Sequence, residues 1–247
     1  MKQDRPLSYS SLKAFNTSPN HLINYWNKVF SPTPAMAKGS LIHTLILEPE
    51  EFKTRYAVWD GGRRAGKEYK AFQEDNEGKD ILKAEEVEEV TKIVDSVKNN
   101  VLLKNMTGTE LLVEWEFDHH PFKGFVDGYG DGFILDVKTT SDASPKAFLR
   151  DVIKYKYYWQ AALYLDANRV LNFAGEKPDF FILAVETSAP FNTQMYKLKY
   201  DLIEKGMGEA CQAVDSFREW DGTPGGYEFN SVLAEEGIIT LECPTWL

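Results

Sequence analysis

Three residues in the middle of the chain could do chemistry together. Asp127 ends the run FKGFVD, and Asp136 and Lys138 fall at the end of the run GFILDVK. Hard divalent cations such as Mg²⁺ take oxygen ligands, typically one or two carboxylates with water and substrate phosphate. A lysine beside them can orient a water or offset charge that develops on a phosphoryl group. Phosphodiester hydrolysis is the reaction such a set can perform. The same residues also fit an ordinary surface hairpin carrying an Asp–Lys ion pair, and a motif this short does not choose between the two.

The elements that would position these groups can be read from the pattern around them. Strand alternation places Ile134, Asp136 and Lys138 on one face, with Phe133, Leu135 and Val137 on the other. In FKGFVDGY it groups Lys123, Phe125 and Asp127. Gly128, Gly130, Asp131 and Gly132 between the two runs predict a hairpin turn, across which Asp127 and Asp136 can meet. After the turn residues SDASP a long helix is predicted, with Tyr157, Gln160 and Tyr164 at i, i+3 and i+7 on one face. Upstream, LLVEWEFD (111–118) reads as an alternating strand, with Leu111, Val113, Trp115 and Phe117 opposite Leu112, Glu114, Glu116 and Asp118. His119-His120-Pro121 is its expected turn.

Taken in order, GFVD, ILDVKTT and YKYYWQAALY resemble the PD-(D/E)xK, RecB-like nuclease superfamily. They are more closely similar to the RecE-like (exodeoxyribonuclease VIII-like) phage exonucleases. GSLIHTLILEPEEF (39–52) resembles that family's Gly-x-x-x-His…Leu-Glu-Pro block, and Ser-x-Ser-x-Leu-x-x-Phe…Ser-Pro from Ser8 resembles the N-terminal helix of RecB-like nucleases. The likeness runs roughly from Ser8 to Tyr164. It implies a restriction-endonuclease-like α/β fold in which Asp127, Asp136 and His43 form the metal site. It also implies Glu114 as the glutamate near that site, Lys138 as the water-positioning lysine, and Gln160 with Tyr164 as a buttress. The implied cofactor is Mg²⁺; an imidazole ligand fits Mn²⁺ better, or His43 could bond a coordinated water instead. The implied activity is 5′→3′ exonuclease action on double-stranded DNA ends in phage recombination. The implied partners are those DNA ends, a single-strand annealing protein and further copies of the chain in a ring. Read without the likeness, His43 is an ordinary helix histidine and Glu114 a solvent-facing strand residue.

The remaining chain is expected to frame this core. Residues 6–30 predict two short helices broken at Ser18-Pro19, with Ser8 or Ser10 as a cap and Pro19 early in the second helix. A helix is predicted over 36–47, stopped by Leu-Glu-Pro. GGRRAGK lacks the spacing of a phosphate-binding P-loop, and its Arg63, Arg64, Lys67 and Lys70 are candidate nucleic-acid contacts. A second basic cluster is Arg150, Lys154 and Lys156; for both, solvated surface charge is the competing reading. Residues 80–105 predict an amphipathic helix, 178–187 a buried strand, QMYKLKY another strand and 201–220 a helix. The division expected is a mainly helical region over 1–105, a core over 106–220 and a Gly/Pro-rich tail over 221–247, all in one nuclease domain.

Composition narrows the classes. The chain has 247 residues, 43% hydrophobic and 13% aromatic, enough for one large core. No apolar run reaches membrane-span length and the first residues lack a signal-peptide core, so a cytoplasmic enzyme with no membrane partner is expected. Cys211 and Cys243 cannot form a four-cysteine cluster. With 28 basic against 38 acidic residues, a net charge of −10 argues against nucleic-acid binding over the whole surface. Basic groups lining one channel, or repeated around a closed ring, would reconcile the charge with a nuclease. An endonuclease or junction resolvase on the same core, and a catalytically idle DNA-binding protein, stand as alternatives. The expected architecture is a mixed sheet of about five strands flanked by helices.

Overall fold

The computed structural model describes residues 5–28, 31–225, 234–235 and 238–239. The first helices are fixed by local chemistry. Helix α1 (Tyr9–Thr17) is capped by Ser8, whose hydroxyl accepts from the Ser11 amide while Ser11 bonds back to the Ser8 amide. Helix α2 (Pro19–Asn27) follows at once, with Ser18 as its cap and Pro19 at its first position. Helix α3 (Pro34–Leu47) is capped by Thr33 and ends before Pro49. After the single turn Pro49–Glu51 come α4 (Phe52–Arg55), strand β1 (Tyr56–Trp59) and α5 (Lys67–Asp75).

Strand β2 (Asp80–Lys83), α6 (Ala84–Val97) and α7 (Val101–Lys104) complete the N-terminal region. The expected single helix over 80–105 is thus three elements. Asp80–Lys83 instead pairs in parallel with β1, and the helix starts where the Glu86 carboxylate accepts the Lys83 amide at 2.6 Å.

The central sheet begins with β3 (Gly108–Phe117) and β4 (His120–Gly130). Asp118 and His119, at φ 48° and 58°, form the two-residue turn whose positive φ values suit a hairpin. His120, expected in that turn, is already strand and is buried. β4 turns at Asp131-Gly132 into β5 (Phe133–Thr140), so Gly128 and Gly130 belong to the strand rather than to the turn. Then follow α8 (Pro145–Lys154), α9 (Tyr157–Leu171), β6 (Asp179–Glu186), β7 (Thr193–Lys197) and α10 (Tyr200–Glu219). A short antiparallel pair, β8 (Ala234–Glu235) with β9 (Ile238–Ile239), is what is described of the tail beyond residue 225; Cys243 lies outside the described residues.

The five strands lie in the order β3-β4-β5-β6-β7, with β5 and β6 parallel and the other neighbours antiparallel. Alternation sends side chains of one strand to two separate cores. Ile134 joins Val113, Trp115, Phe122, Phe180 and Ile182 under α1, α9 and α10. Phe133, Leu135 and Val137 join Leu183 and Val185 under α3 and α6, where Leu41, Ile42, Val90 and Ile93 are fully buried. Each such buried side chain stabilises the layer by about 1.5–3 kcal/mol. The sheet is therefore covered on both faces, the mixed α/β sandwich expected for this chain.

β4 and β5 pair only over Gly128–Gly130 with Leu135–Phe133. Beyond that they part: β4 continues beside β3, and β5 continues beside β6 through Thr140. The sheet has a fork between residues 120–127 and residues 136–140.

Candidate active site

The fork exposes backbone polar groups that a regular ladder would satisfy, and side chains close it. Asp127 Oδ2 accepts the Val137 amide at 2.7 Å, bridging the two strands at the point where they part. On α9, Gln160 and Tyr164 are one turn apart and reach different prongs. Gln160 Nε2 donates to Asp136 Oδ1 at 2.7 Å, and the Tyr164 hydroxyl donates to the Phe125 carbonyl at 2.6 Å. Gly124 permits this approach, since a Cβ there would lie 2.8 Å from the Tyr164 ring. One helix face thus holds both prongs in place.

Lys138 completes the set. Its Nζ stands 2.7 Å from Asp136 Oδ2 and 5.0 Å from the centre of the Tyr157 ring. Asp136 is only 1% exposed, and burial pushes its carboxyl pKa up, against the pull of Lys138; the nearby charge of Asp127 adds to the rise. Across the fork, α3 brings His43, whose Nδ1 lies 3.6 Å from Asp127 Oδ2. Burial lowers the His43 pKa, which favours the neutral imidazole that can offer a lone pair.

The glutamate beside Asp127 is Glu110, not Glu114. The hairpin register pairs Thr109 with Gly128 and Leu111 with Val126, so Glu110 faces Asp127, and Glu114 pairs with Lys123. Glu110 sits at φ 48°, a left-handed conformation that costs energy for a residue with a side chain. His43, Glu110 and Asp127 each offer one ligand atom within 4.8 Å of the others, which fits a divalent cation. Glu110 has its pKa pushed up to about 7 by burial and by the negative charges of Asp127 and Glu48. A cation is the group that would relieve that repulsion. Asp136, expected as a ligand, is not one of the three; both its oxygens already face Gln160 and Lys138.

The matching profile belongs to the family described as "PDDEXK-like domain of unknown function (DUF3799)", and it spans residues 8–221. The chain belongs to this family. Its Asp127 lies on one prong of the fork, and its Asp136 and Lys138 lie on the other. No curated protein sequence matches the chain. Among solved structures it is similar to a crystal structure described as "Putative exonuclease" from Eubacterium rectale, with a TM-score of 0.63 and 16% identity over 88% of this chain and 81% of that one. At that identity the likeness supports the fold.

The remaining expected contacts are spread elsewhere. Arg64 is tied to Glu86 at 2.7 Å and to the Ile81 carbonyl at 2.9 Å, which fastens its loop to α6. Arg63, Lys67 and Lys70 are exposed. Lys156 meets Glu209 of α10 at 3.0 Å. Glu209 also accepts from Tyr158 and Trp159 at 2.8 Å each and from Lys205 at 2.9 Å, so α10 anchors the amino end of the helix that carries Gln160. Among the described residues, no helix is long and apolar enough to cross a membrane.

Proposed function

We propose that this PDDEXK-like chain is a divalent-metal-dependent nuclease whose active site is the fork between β4 and β5. The observation that carries the reading is the convergence there of Asp127, Asp136 and Lys138 with Glu110 and His43. Glu110, Asp127 and His43 would hold the metal, with Mn²⁺ favoured over Mg²⁺ by the imidazole. Such a cation, when bound, supplies an activated water and neutralises charge on the phosphate. Lys138, held between Asp136 and the Tyr157 ring, is placed to orient the attacking water and to offset charge at the phosphoryl group. Gln160 and Tyr164 keep Asp136 and the β4 prong at fixed separation.

The finer reading rests on the resemblance to RecE-like phage exonucleases: 5′→3′ digestion of double-stranded DNA ends in recombination, in the cytoplasm, alongside a single-strand annealing protein. A ring of copies would gather exposed cations such as Arg63, Lys67 and Lys70 from several subunits, which suits a chain of net charge −10. The test is incubation with an end-labelled linear duplex and a matched closed circle, with Mg²⁺, Mn²⁺ or a chelator. Metal-dependent loss of the linear duplex alone supports the exonuclease; loss of both substrates means an endonuclease. Loss of neither with any metal overturns the nuclease reading. Sedimentation at working concentration tests the ring, and a strict monomer removes it.

A further inference from the structure

A groove of about 490 Å³ opens at the fork, lined by β3, β4, the amino end of α1, α2, Lys138 of β5, and Gln160 and Tyr164 of α9. Its volume falls within the range of about 300–1,000 Å³ typical of sites for small ligands. Its floor is ordered by the hairpin register. On the outer face of the hairpin, Glu110 faces Asp127, Leu112 pairs with Phe125, and Glu114 pairs with Lys123. Successive pairs on one face are two residues apart, about 7 Å along the strand. The Leu112–Phe125 pair therefore lies one step from the carboxylates of the candidate metal site.

That pair is anomalous for a sheet surface. Phe125 is 55% exposed and Leu112 50% exposed, side by side, while the opposite face of the same strands is buried. Tyr25 of α2, 46% exposed, lines the same groove. Lys123 and Lys138 also line it, but Lys123 pairs across the strands with Glu114 and Lys138 stands 2.7 Å from Asp136, so charge alone gives a weak grip on a phosphate chain. The backbone under Phe125 is fixed by the Tyr164 hydroxyl bond to its carbonyl, which keeps the ring's strand rigid.

We infer that Phe125, flanked by Leu112 and Tyr25, is a stacking platform for the unpaired base next to the scissile phosphate. The substrate class that follows is a nucleic-acid strand whose reacting end is not base-paired: a single strand, or a duplex end splayed before cleavage. Two features point to this occupant: an exposed aromatic face about one nucleotide step from the candidate site, which only an unpaired base can cover by stacking, and two lysines that line the same groove. Stacking on an aromatic ring tolerates any base, so the preference is for an unpaired state and not for a sequence.

This inference rests on the nuclease reading, and the experiment separates the two. Cleavage of a blunt duplex, of the same duplex with a few unpaired terminal nucleotides, and of that splayed end with abasic terminal residues is measured for the wild type, Phe125→Ala and Phe125→Trp. The wild type should favour the splayed end over both other substrates. Phe125→Ala should raise KM on the splayed end by about 5- to 100-fold while Phe125→Trp keeps it near wild type. In parallel, a single strand carrying terminal 2-aminopurine should be quenched by the wild type and by Phe125→Trp, and not by Phe125→Ala. Unchanged KM in Phe125→Ala, or equal cleavage of the abasic end, overturns the platform. Phe125-dependent quenching with no cleavage under any metal overturns the nuclease reading and keeps the platform; absence of quenching in the wild type overturns the platform.

Discussion

Helix α9 touches two carboxylate centres that are built on opposite terms. At its amino end, Glu209 receives donors from Lys156, Tyr158, Trp159 and Lys205. Burial works against its charge, yet those donors hold its pKa down to about 2. Further along α9, Gln160 reaches the fork, where Asp127 and Glu110 stand together with fewer donors, and Glu110 is driven up to about 7 by burial and by its acidic neighbours. A carboxylate with a full set of donors has nothing left to bind and acts as a fastener. A cluster short of donors keeps its electrostatic tension until a cation arrives. The number of donors is thus what distinguishes the acid of the fastener from the acids of the candidate site.

The sharpest way to break the comparison is at Asp136. Asp136→Asn should lower kcat by about 10²- to 10³-fold, as when a charge-placing group is removed from a reacting centre. Its Tm should stay near that of the wild type, because the carboxylate already disfavours its own ionisation. A variant that unfolds would turn Asp136 into a fastener like Glu209. Lys138→Ala should cost less, roughly 10- to 100-fold in kcat, with little change in KM if the lysine acts on the transition state. Lys138→Arg should not restore the rate, since the guanidinium is bulkier and stays protonated.

Glu209→Ala should show the reverse pattern. Losing the acceptor for two cations, a phenol and an indole should destabilise the fold by about 1–3 kcal/mol, a few degrees in Tm. Activity measured well below that Tm should fall only modestly, through looser placement of Gln160. A large kcat loss with an unchanged Tm would contradict the division of labour between the two centres.

The smallest effect is in the pH dependence of metal-free stability, and its sign is opposite at the two centres. The Glu110 pKa is about 7 folded against 4.5 unfolded, so the folded state binds the proton more tightly. Stability from this group is complete below about 4.5 and is lost as pH rises through about 7. Metal-free Tm should therefore rise as pH falls from about 7.5 to about 5, and Glu110→Gln should flatten that slope. Added Mn²⁺ at pH 7.5 should raise Tm in the wild type and much less in Glu110→Gln. Glu209 is depressed instead, so its contribution is lost only in acid, as pH falls from about 4.5 toward about 2.

Part of this site could be read from residue spacing: strand alternation and the glycine-rich turn were enough to bring Asp127 close to Asp136 and Lys138. Spacing also put Gln160 and Tyr164 on one helix face, but what tied that face and His43 to the carboxylates was the resemblance to RecB-like nucleases. Glu110 was missed because a strand assigned from Leu111 starts three residues after β3 does, at Gly108, and leaves Glu110 outside it. The signal was present in the turn: with Asp118 and His119 as a two-residue loop, pairing residues back from Phe117 and His120 lands Glu110 opposite Asp127. Taking His119-His120-Pro121 as the turn shifts that count. The fork itself left no periodic trace, since β4 and β5 alternate normally on either side of the point where they separate. β2 was absorbed into the following helix because four residues of alternating pattern are too few to stand apart from an amphipathic run.

Leu7 gives the fork a consequence for how the chain assembles. Its amide donates to the Pro121 carbonyl at 2.9 Å and its carbonyl accepts from the Lys123 amide at 2.8 Å, so a single extended residue lies along the open edge of β4. More than a hundred residues of chain separate the two sides of that contact. Leu7, made before the hairpin, must therefore wait undocked until the hairpin exists to receive it, and loop closure of that length is slow. During the wait β4 has a bare edge, open to pairing with a strand of another chain. Removing the first eight residues would make that interval permanent, and the loss should show as aggregation during synthesis before it shows as a weaker enzyme.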